Sequence, residues 1–380
     1  MAAQTETTTA ATSPIGLRSL LVLAFRLGLL GFGGGYAVLA QLRTAVVDRR
    51  RWLSDEEYLD AVAVAQSLPG ASGANFFTLI GMRSAGFIGA ALSTTLFLLP
   101  SAALMALFGA YYDKLRSIGR VEAIFTGMNP AVVAIVAAVT FTLGKPMRQR
   151  RQILIAAASL VAVEAGFGVL EVVLAAISIG LFPHARRILS AVPRSPPALA
   201  VSPLLLALAK LSVVFLRIGA ATFGGGLAMI PALDHQIVDT LHWLTPREFS
   251  DGVTLGQITP GPVAITATFV GYRVAGLGGA AIATLATFLP AFIATFIAGR
   301  SVQRFRQSAA MQSLFEALAP AIVGIVAAAA ISLARTSIHG WADGAIAFGS
   351  LALLIGLRAP PLLVLALAAG IRAVAPLLAH

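Results

Sequence analysis

The chain of 380 residues contains no cysteine. This absence excludes disulfide bonds, thiolate catalysis and metal or iron–sulfur sites with cysteine ligands. Charged residues are also scarce, since they make up 11% of the chain while hydrophobic residues make up 58%. So few charged groups cannot cover the surface of a soluble protein of this size. The composition, with a mean hydropathy of +0.88, therefore predicts an integral membrane protein.

Motifs of the common hydrolases and nucleotide-binding proteins are missing too. The chain has no H-E-x-x-H, no G-x-S-x-G and no Walker sequence G-x-x-x-x-G-K-[ST]. Its five histidines are scattered, and the acidic and histidine residues between Asp234 and His242 are explained by a polar loop. We therefore predict that the protein is not an enzyme and holds no metal ion or cofactor.

The formal net charge of +11 comes from basic residues that cluster between apolar tracts. Duplex nucleic acid requires a contiguous basic face that is presented to water, so no nucleic acid partner is expected. Short basic loops between apolar segments are instead typical of one side of a membrane protein. The clusters are Arg43–Arg51, Lys114–Arg120, Lys145–Arg151, Arg186–Arg194 and Arg300–Arg306.

One motif is written twice in this chain, as Phe-Gly-Gly-Gly at residues 32–35 and again at residues 223–226, 191 residues later. Each copy has an arginine, Arg26 or Arg217, seven residues before its first glycine. Further matches at the same offset extend the repeat well beyond the glycines. We predict a disordered tail at 1–15, a first module at 16–190, a proline-rich linker at 191–204 and a second module at 205–380.

Apolar tracts recur along both modules, and several reach the ~20 residues that a helix needs to cross a bilayer core. Unpaired backbone amides are costly in lipid, and the tracts lack the alternation of a barrel strand, so the spanning segments are helices. The tracts at 152–183 and 345–379 are interrupted by Glu164–Gly168 and by Pro360-Pro361, which predicts two short helices in each. The fold class is all-α, with about ten to twelve membrane segments.

Equivalent loops of the two modules differ in charge. The loop Arg43–Arg51 carries four arginines, whereas its counterpart Asp234–His242 carries no lysine or arginine. This bias indicates inverted-topology repeats, in which equivalent loops face opposite sides of the membrane. The loops Lys114–Arg120 and Arg300–Arg306 do not share the bias, since each carries three basic residues.

The repeated glycines suggest a first part of the functional site. Three consecutive glycines weaken a helix and favour a break that exposes backbone amides; the alternative is close helix packing against small residues. The arginine before each break would bind an anion through its guanidinium group if it faced the interface of the modules. Interrupted segments at corresponding positions of two repeats indicate a transport site, in which Arg217→Ala would abolish transport. The alternative is that both arginines extend to the membrane surface.

A second repeated motif contains Pro-Gly, at Pro69-Gly70 and at Pro260-Gly261-Pro262. Proline interrupts the helix, and the resumed half has free amides at the positive end of its dipole, which suit an oxyanion. The alternative is a simple kink whose polar groups bond back to the helix. The candidate substrate-binding residues from both motifs are Arg26, Gly33, Gly34, Gly35, Gln66, Pro69, Gly70, Asn75, Arg217, Gly224, Gly225, Gly226, Gln257, Thr259, Pro260, Gly261, Pro262 and Thr266.

These motifs resemble those of the chromate ion transporter family in its long, fused two-domain form. The resemblance is carried mainly by residues 257–272, with Gly276 and Phe288-Leu289-Pro290, and in the first half by Phe32-Gly33-Gly34 and Leu68-Pro69-Gly70. It implies an inner-membrane carrier that exports chromate, with sulfate as an isosteric competitor. The first half departs from the family pattern at Gly35 and at Ala71, where we associate proline with the family.

Export of an anion also agrees with membrane energetics. Where the cell interior is negative, a dianion that moves outward gains about 2 × 2.3 kcal/mol per 100 mV, so ATP is not required. We therefore predict a secondary transporter that exports a tetrahedral oxyanion, chromate before sulfate, across the cytoplasmic membrane. A carrier for sulfate or another oxyanion and an anion channel are the alternatives. The bilayer is the other expected partner, and a homodimer is left open.

Overall fold

A computed structural model describes residues 14–32, 34–181, 203–223, 226–300 and 309–374 of the chain. All regular structure within these ranges is helical, which confirms the predicted all-α fold. The predicted tail at 1–15 and the linker at 191–204 lie almost entirely outside the described residues.

The first module contains seven α-helices and one short π-helical segment, Thr44–Arg49, among the described residues. The α-helices are α1 (Leu17–Leu30), α2 (Gly34–Arg43), α3 (Asp55–Ser67), α4 (Ser72–Arg116), α5 (Gly119–Gly144), α6 (Arg150–Glu164) and α7 (Val169–Leu181).

The second module repeats this order. Its α-helices are α8 (Pro203–Ala221), α9 (Ile230–Leu233), α10 (Pro246–Ile258), α11 (Thr266–Gly299), α12 (Ala309–Ser337), α13 (Trp341–Gly356) and α14 (Pro361–Val374). Two 3₁₀ turns, Gly226–Met229 and Val263–Ile265, precede α9 and α11, and a π-helical segment, Asp234–Thr240, corresponds to the one in the first module. The predicted interruptions of the tracts at 152–183 and 345–379 are confirmed as the gaps between α6 and α7 and between α13 and α14.

Equivalent helices begin with the same local chemistry. In α3 the Ser54 hydroxyl accepts a hydrogen bond from the amide of Glu57, whose carboxylate accepts one from the amide of Ser54. Thr245 and Glu248 form the same capping box at the start of α10. Each box binds amides that the first helical turn leaves without partners, so the sequence fixes the start of each helix.

Each module contains a helical hairpin whose tip is the Pro-Gly motif. In the first module Glu57 of α3 forms an ion pair of 3.6 Å with Arg83 of α4, and in the second Glu248 of α10 pairs with Arg273 of α11 at 2.8 Å. Because the paired residues lie at similar distances before and after the tip, the helix after the tip returns antiparallel to the helix before it. Both hairpins are therefore re-entrant in form.

A second turn follows each hairpin inside the long helices α4 and α11. The helical geometry breaks at Ala85-Gly86, where Gly86 has a φ of +59°, and at Ala275-Gly276, where Gly276 has a φ of +61°. The arms before and after each turn are joined by threonine pairs at 2.7 Å, Thr78 with Thr94 and Thr268 with Thr284. Because these threonines are 16 positions apart in the chain, the two arms of each long helix run antiparallel. The turn falls at glycine because glycine adopts this positive φ without strain.

The second arms, 87–116 and 277–299, pack against each other between the modules. The ring of Phe87 meets the rings of Phe292 and Phe296 edge to face. Gly109, near the far end of its arm, faces Tyr272, which lies just before the turn where the other arm begins. The start of one arm therefore lies beside the end of the other, and equivalent arms run antiparallel.

Large apolar side chains are exposed on the outer surface. Leu277, Leu285 and Ile297 of α11 are more than half exposed, which is typical of side chains that face lipid. Among the described residues four helices, α4, α5, α11 and α12, are long and apolar enough to cross a bilayer. The expected ten to twelve spanning segments are not matched at this length, because several apolar tracts form shorter helices or re-entrant arms.

Candidate functional site

A cavity of about 570 Å³ lies between the two modules. Its central walls come in equivalent pairs from both modules, Phe32 with Phe223 and Gln66 with Gln257. The Pro-Gly tips contribute as well, through Ala71 and Ser72 on one side and Pro262 and Val263 on the other. None of the described residues that line it carries a charge.

Four helical segments begin at or beside this cavity. α4 begins at Ser72 and the 3₁₀ turn before α11 begins at Val263, and neither has a side-chain cap at its N-terminus. α2 begins at Gly34 and another 3₁₀ turn begins at Gly226. Because the N-terminal end of a helix is positive and presents free amides, these ends favour negative charge in a cavity without charged side chains.

Gln66 and Gln257 are the principal polar side chains in the cavity. They end α3 and α10 just before the Pro-Gly tips, and both line the cavity. The amide nitrogen Nε2 of Gln257 is buried and has no hydrogen-bond partner within the described parts of the chain. A buried donor without a partner costs about 1–3 kcal/mol, so a ligand that accepts this hydrogen bond is stabilised there.

The predicted breaks at the glycine runs are confirmed. α1 ends at Leu30 and α8 ends at Ala221, so each helix stops three residues before the first glycine of its run. Gly226 lines the cavity and packs directly against the backbone of Val263 and Ala264, where a side chain would not fit. Gly33, Gly224 and Gly225 lie outside the described residues, and Gly34 and Gly35 form the start of α2.

The Pro-Gly tips owe their shape to the glycines and to polar side chains. Gly70 and Gly261 have φ values of +98° and +101°, and Gly261 and Pro262 line the cavity while Pro69, Gly70 and Pro260 do not. Asn75 donates through Nδ2 to the carbonyl oxygens of Ala65 at 3.0 Å and Pro69 at 2.9 Å. Asn75 therefore stabilises the tip from the side that faces away from the cavity.

Three predicted oxyanion donors need correction, because they are already used by the helices. The hydroxyl of Thr259 donates to the carbonyl oxygen of Leu255 at 2.7 Å, and that of Thr266 donates to Val263 at 2.9 Å. With Asn75, these side chains are buried and do not line the cavity. For them the alternative of back-bonded polar groups describes the structure.

The two arginines also need correction. Arg26 and Arg217 are exposed and lie outside the cavity, and Arg26 borders a shallow groove of α1 and α4 on the outer surface. The reason is helical periodicity: α1 buries Leu20, Leu23, Ala24, Leu27 and Gly28, and a residue two positions before Gly28 points away from that face. The guanidinium groups thus do not face the interface of the modules.

Sequence reasoning missed much of the cavity wall. Phe32 and Phe223 precede the glycines that were singled out, and Ile135 and Val139 of α5 with Leu318 and Ile322 of α12 close the cavity from the two long helices. These aliphatic positions carry no chemical signal of their own in the sequence. Only the packing of α5 and α12 against the other module places them at the cavity.

This arrangement of broken helices and a shared cavity defines a membrane protein of two homologous helical modules. The model of the chromate transporter family matches the chain twice, at residues 18–181 and 209–373, and the chain belongs to that family. Each match coincides with one of the two modules, which confirms the internal repeat and the resemblance that the motifs suggested.

Curated relatives cover nearly the whole chain. The chromate transport protein of Cupriavidus metallidurans is 32% identical over 360 residues, which is 89% of this chain and 88% of that protein. A probable chromate transport protein of Synechococcus elongatus is 30% identical, over 85% of this chain and 86% of that protein. The chromate transport protein of Pseudomonas aeruginosa is 28% identical, over 87% and 84%. No solved structure matches the chain.

Proposed function

We propose that the protein is a secondary transporter that exports chromate across the cytoplasmic membrane through the cavity between its modules. The observation that carries this proposal is the convergence of four helix N-termini and two glutamines on an uncharged cavity. The names of the relatives at about 30% identity support chromate as the substrate.

The cavity suits an oxyanion that must be released again. Backbone amides and helix dipoles offer the ion partial positive charges, and Gln66 and Gln257 offer neutral donors to its oxygens. A buried guanidinium group in the cavity would hold a dianion more strongly, since its full positive charge adds a direct Coulomb attraction that neutral donors lack. Neutral donors favour turnover over tight binding.

An inverted arrangement of the modules in the membrane is part of this proposal. The antiparallel arms 87–116 and 277–299 support it, because two equivalent antiparallel spans are related by an axis in the membrane plane. The charge difference between the loops Arg43–Arg51 and Asp234–His242 supports it as well.

Export is proposed from the charge of the substrate. A dianion that leaves a negative cell interior gains about 2 × 2.3 kcal/mol per 100 mV. Within the described part of the chain there is no domain beyond the two helical modules, so the proposal uses the membrane potential as its energy source. Sulfate has the same charge and tetrahedral shape, so we expect it to compete with chromate for the cavity.

The test is chromate uptake into inside-out vesicles in which an interior-positive potential is imposed. We expect saturable uptake that rises with the potential, is reduced by sulfate and shows counterflow when the vesicles are preloaded with chromate. Vesicles without the protein and vesicles with the Gln257→Leu variant serve as controls. Uptake that is linear in concentration without counterflow would identify a channel, and uptake that does not depend on the potential would exclude this energy source.

A further inference from the structure

A buried polar cluster connects α10 of the second module to α4 and α5 of the first. The side chain of Asp251 is fully buried. Its carboxylate accepts hydrogen bonds from Tyr112 Oη at 2.7 Å and Asn129 Nδ2 at 2.9 Å, and Arg116 Nε lies 3.2 Å from it. Thr254 Oγ1 donates in turn to Asn129 Oδ1 at 2.5 Å. We call these five residues the polar lock.

The polar lock has a different counterpart across the repeat. Thr254 corresponds to Ala63, and Asn129 corresponds to Ala319. Both alanines line the cavity, whereas Thr254 and Asn129 are buried against each other and do not. The cavity therefore extends between α3 and α12 past Ala63 and Ala319, whereas the equivalent route between α10 and α5 is closed at Thr254 and Asn129.

The route beside α10 and α5 is filled by side chains over several helical turns. Thr254, Asp251 and Glu248 follow one another at intervals of three residues, so they lie along one side of α10. Beyond the polar lock, Glu248 binds Arg273, whose guanidinium group also binds Asp113 at 2.7 and 3.1 Å and lies over the ring of Tyr112. Polar contacts between the modules thus fill this route from the cavity to the end of the hairpin.

The ion pair between Arg116 and Asp251 leaves part of the guanidinium group without a hydrogen bond. The atom Nη1 of Arg116 is buried and has no hydrogen-bond partner in the described ranges. A buried ion pair adds little net stability compared with apolar packing, yet it is specific in geometry. Such a pair suits a contact that forms in one state of a protein and separates in another.

We propose that the polar lock is the closed gate of the transport pathway and that the state with opposite access forms when this lock opens. The inference rests on the proposed transport function. In the present state the cavity connects with the membrane face on the side of Ala63 and Ala319, and the polar lock separates it from the face where Glu248, Arg273 and Asp113 lie.

The absence of cysteine makes the gate directly testable, because one introduced cysteine is the only thiol in the chain. The probe is Ala63→Cys, which lines the cavity outside the polar lock. It is treated with a membrane-impermeant maleimide in right-side-out and in inside-out vesicles. With the polar lock in place we expect labelling to be much faster from one membrane face than from the other.

Two variants are designed to open the polar lock, each by a different chemical change. Asp251→Asn removes the charge that holds Arg116, and the double variant Asn129→Ala with Thr254→Ala gives this route the same residues as the open one. In either background we expect Ala63→Cys to react at least tenfold faster from the second face. Asp60→Asn is the matched control: Asp60 is equivalent to Asp251 but partly exposed, and labelling should stay one-sided.

The proposal is overturned if labelling from the second face is no faster in either opened variant while each is monodisperse in detergent, or if the two faces label equally fast with the lock intact. Because labelling does not require chromate, the two proposals fail separately. A switch in sidedness without chromate uptake would contradict the substrate and keep the gate, whereas uptake without a switch would contradict the gate alone.

Discussion

The amide nitrogen of Gly70 donates a hydrogen bond of 2.6 Å to the carbonyl oxygen of Thr222. Its equivalent across the repeat is the 3.0 Å bond from Gly261 to Gly31. Each Pro-Gly tip is therefore bound to the broken first helix of the other module. The helix ends around the cavity are held in place by bonds between the modules, so neither module builds the site alone.

We expect Gly261→Ala to abolish chromate uptake. The φ of Gly261 is +101°, and a Cβ atom would lie 2.9 Å from Ser101 Oγ. A non-glycine residue in such a conformation costs about 1–3 kcal/mol, and the tip would move away from Gly31. Uptake into inside-out vesicles measures the effect. Gly344→Ala, in open space on α13, is the control, and normal uptake by Gly261→Ala would show that the tip tolerates displacement.

Gly276→Ala should destabilise the protein, whereas Gly278→Ala should not. Both positions have open space around them, but only Gly276 has a positive φ, +61°, in the turn between the two arms of α11. The strain is about 1–3 kcal/mol, while alanine at a helical position is favourable by about 1 kcal/mol. Thermal unfolding in detergent compares the two, and equal midpoints would mean that the turn is not under this constraint.

Gln257→Leu should raise the KM for chromate by about tenfold to a hundredfold. A hydrogen bond to a charged partner contributes about 1.5–3 kcal/mol, and each 1.4 kcal/mol is about a factor of ten. Gln66→Leu should act in the same direction, since it is the equivalent residue on the other wall. Thr259→Val is the control because its hydroxyl already donates to Leu255. A KM unchanged in both glutamine variants would remove them from the binding site.

Arg26→Ala and Arg217→Ala should keep uptake within about a factor of two, because surface substitutions away from a site change little. Both side chains are exposed, on the side of α1 or α8 opposite the buried face, and neither lines the cavity. Uptake is normalised to the amount of protein inserted in the membrane. If Arg217→Ala is inserted normally and transports nothing, the guanidinium group does contact the anion in another state of the protein.

Some features of the fold follow directly from local sequence. The capping boxes Ser54–Glu57 and Thr245–Glu248 set the helix starts because a hydroxyl and a carboxylate three residues apart satisfy the first free amides. Glycine and proline mark the breaks for an equally local reason, since they change the allowed backbone conformations. The periodicity of α1 is local in the same way, since its buried face, Leu20, Leu23, Ala24, Leu27 and Gly28, leaves Arg26 on the outer surface.

Other features depend on contacts between residues far apart in the chain. Asn129 and Asp251 meet across 122 positions, and nothing near either residue in the sequence indicates the other. The same is true of Ile135 and Leu318, whose aliphatic side chains line the cavity only because α5 and α12 each pack beside the other module.

The sequence by itself determined a membrane protein of two repeated helical modules, broken at glycine and at Pro-Gly, because composition and backbone restriction act on each segment locally. Tertiary structure alone decided which polar groups face the cavity and which side of it the polar lock closes. The physical reason is that the sequence shows a hydrogen-bond donor such as Thr259 or Gln257 but not whether that donor already has a partner. Whether it is used by its own helix or left free depends on what packs against it.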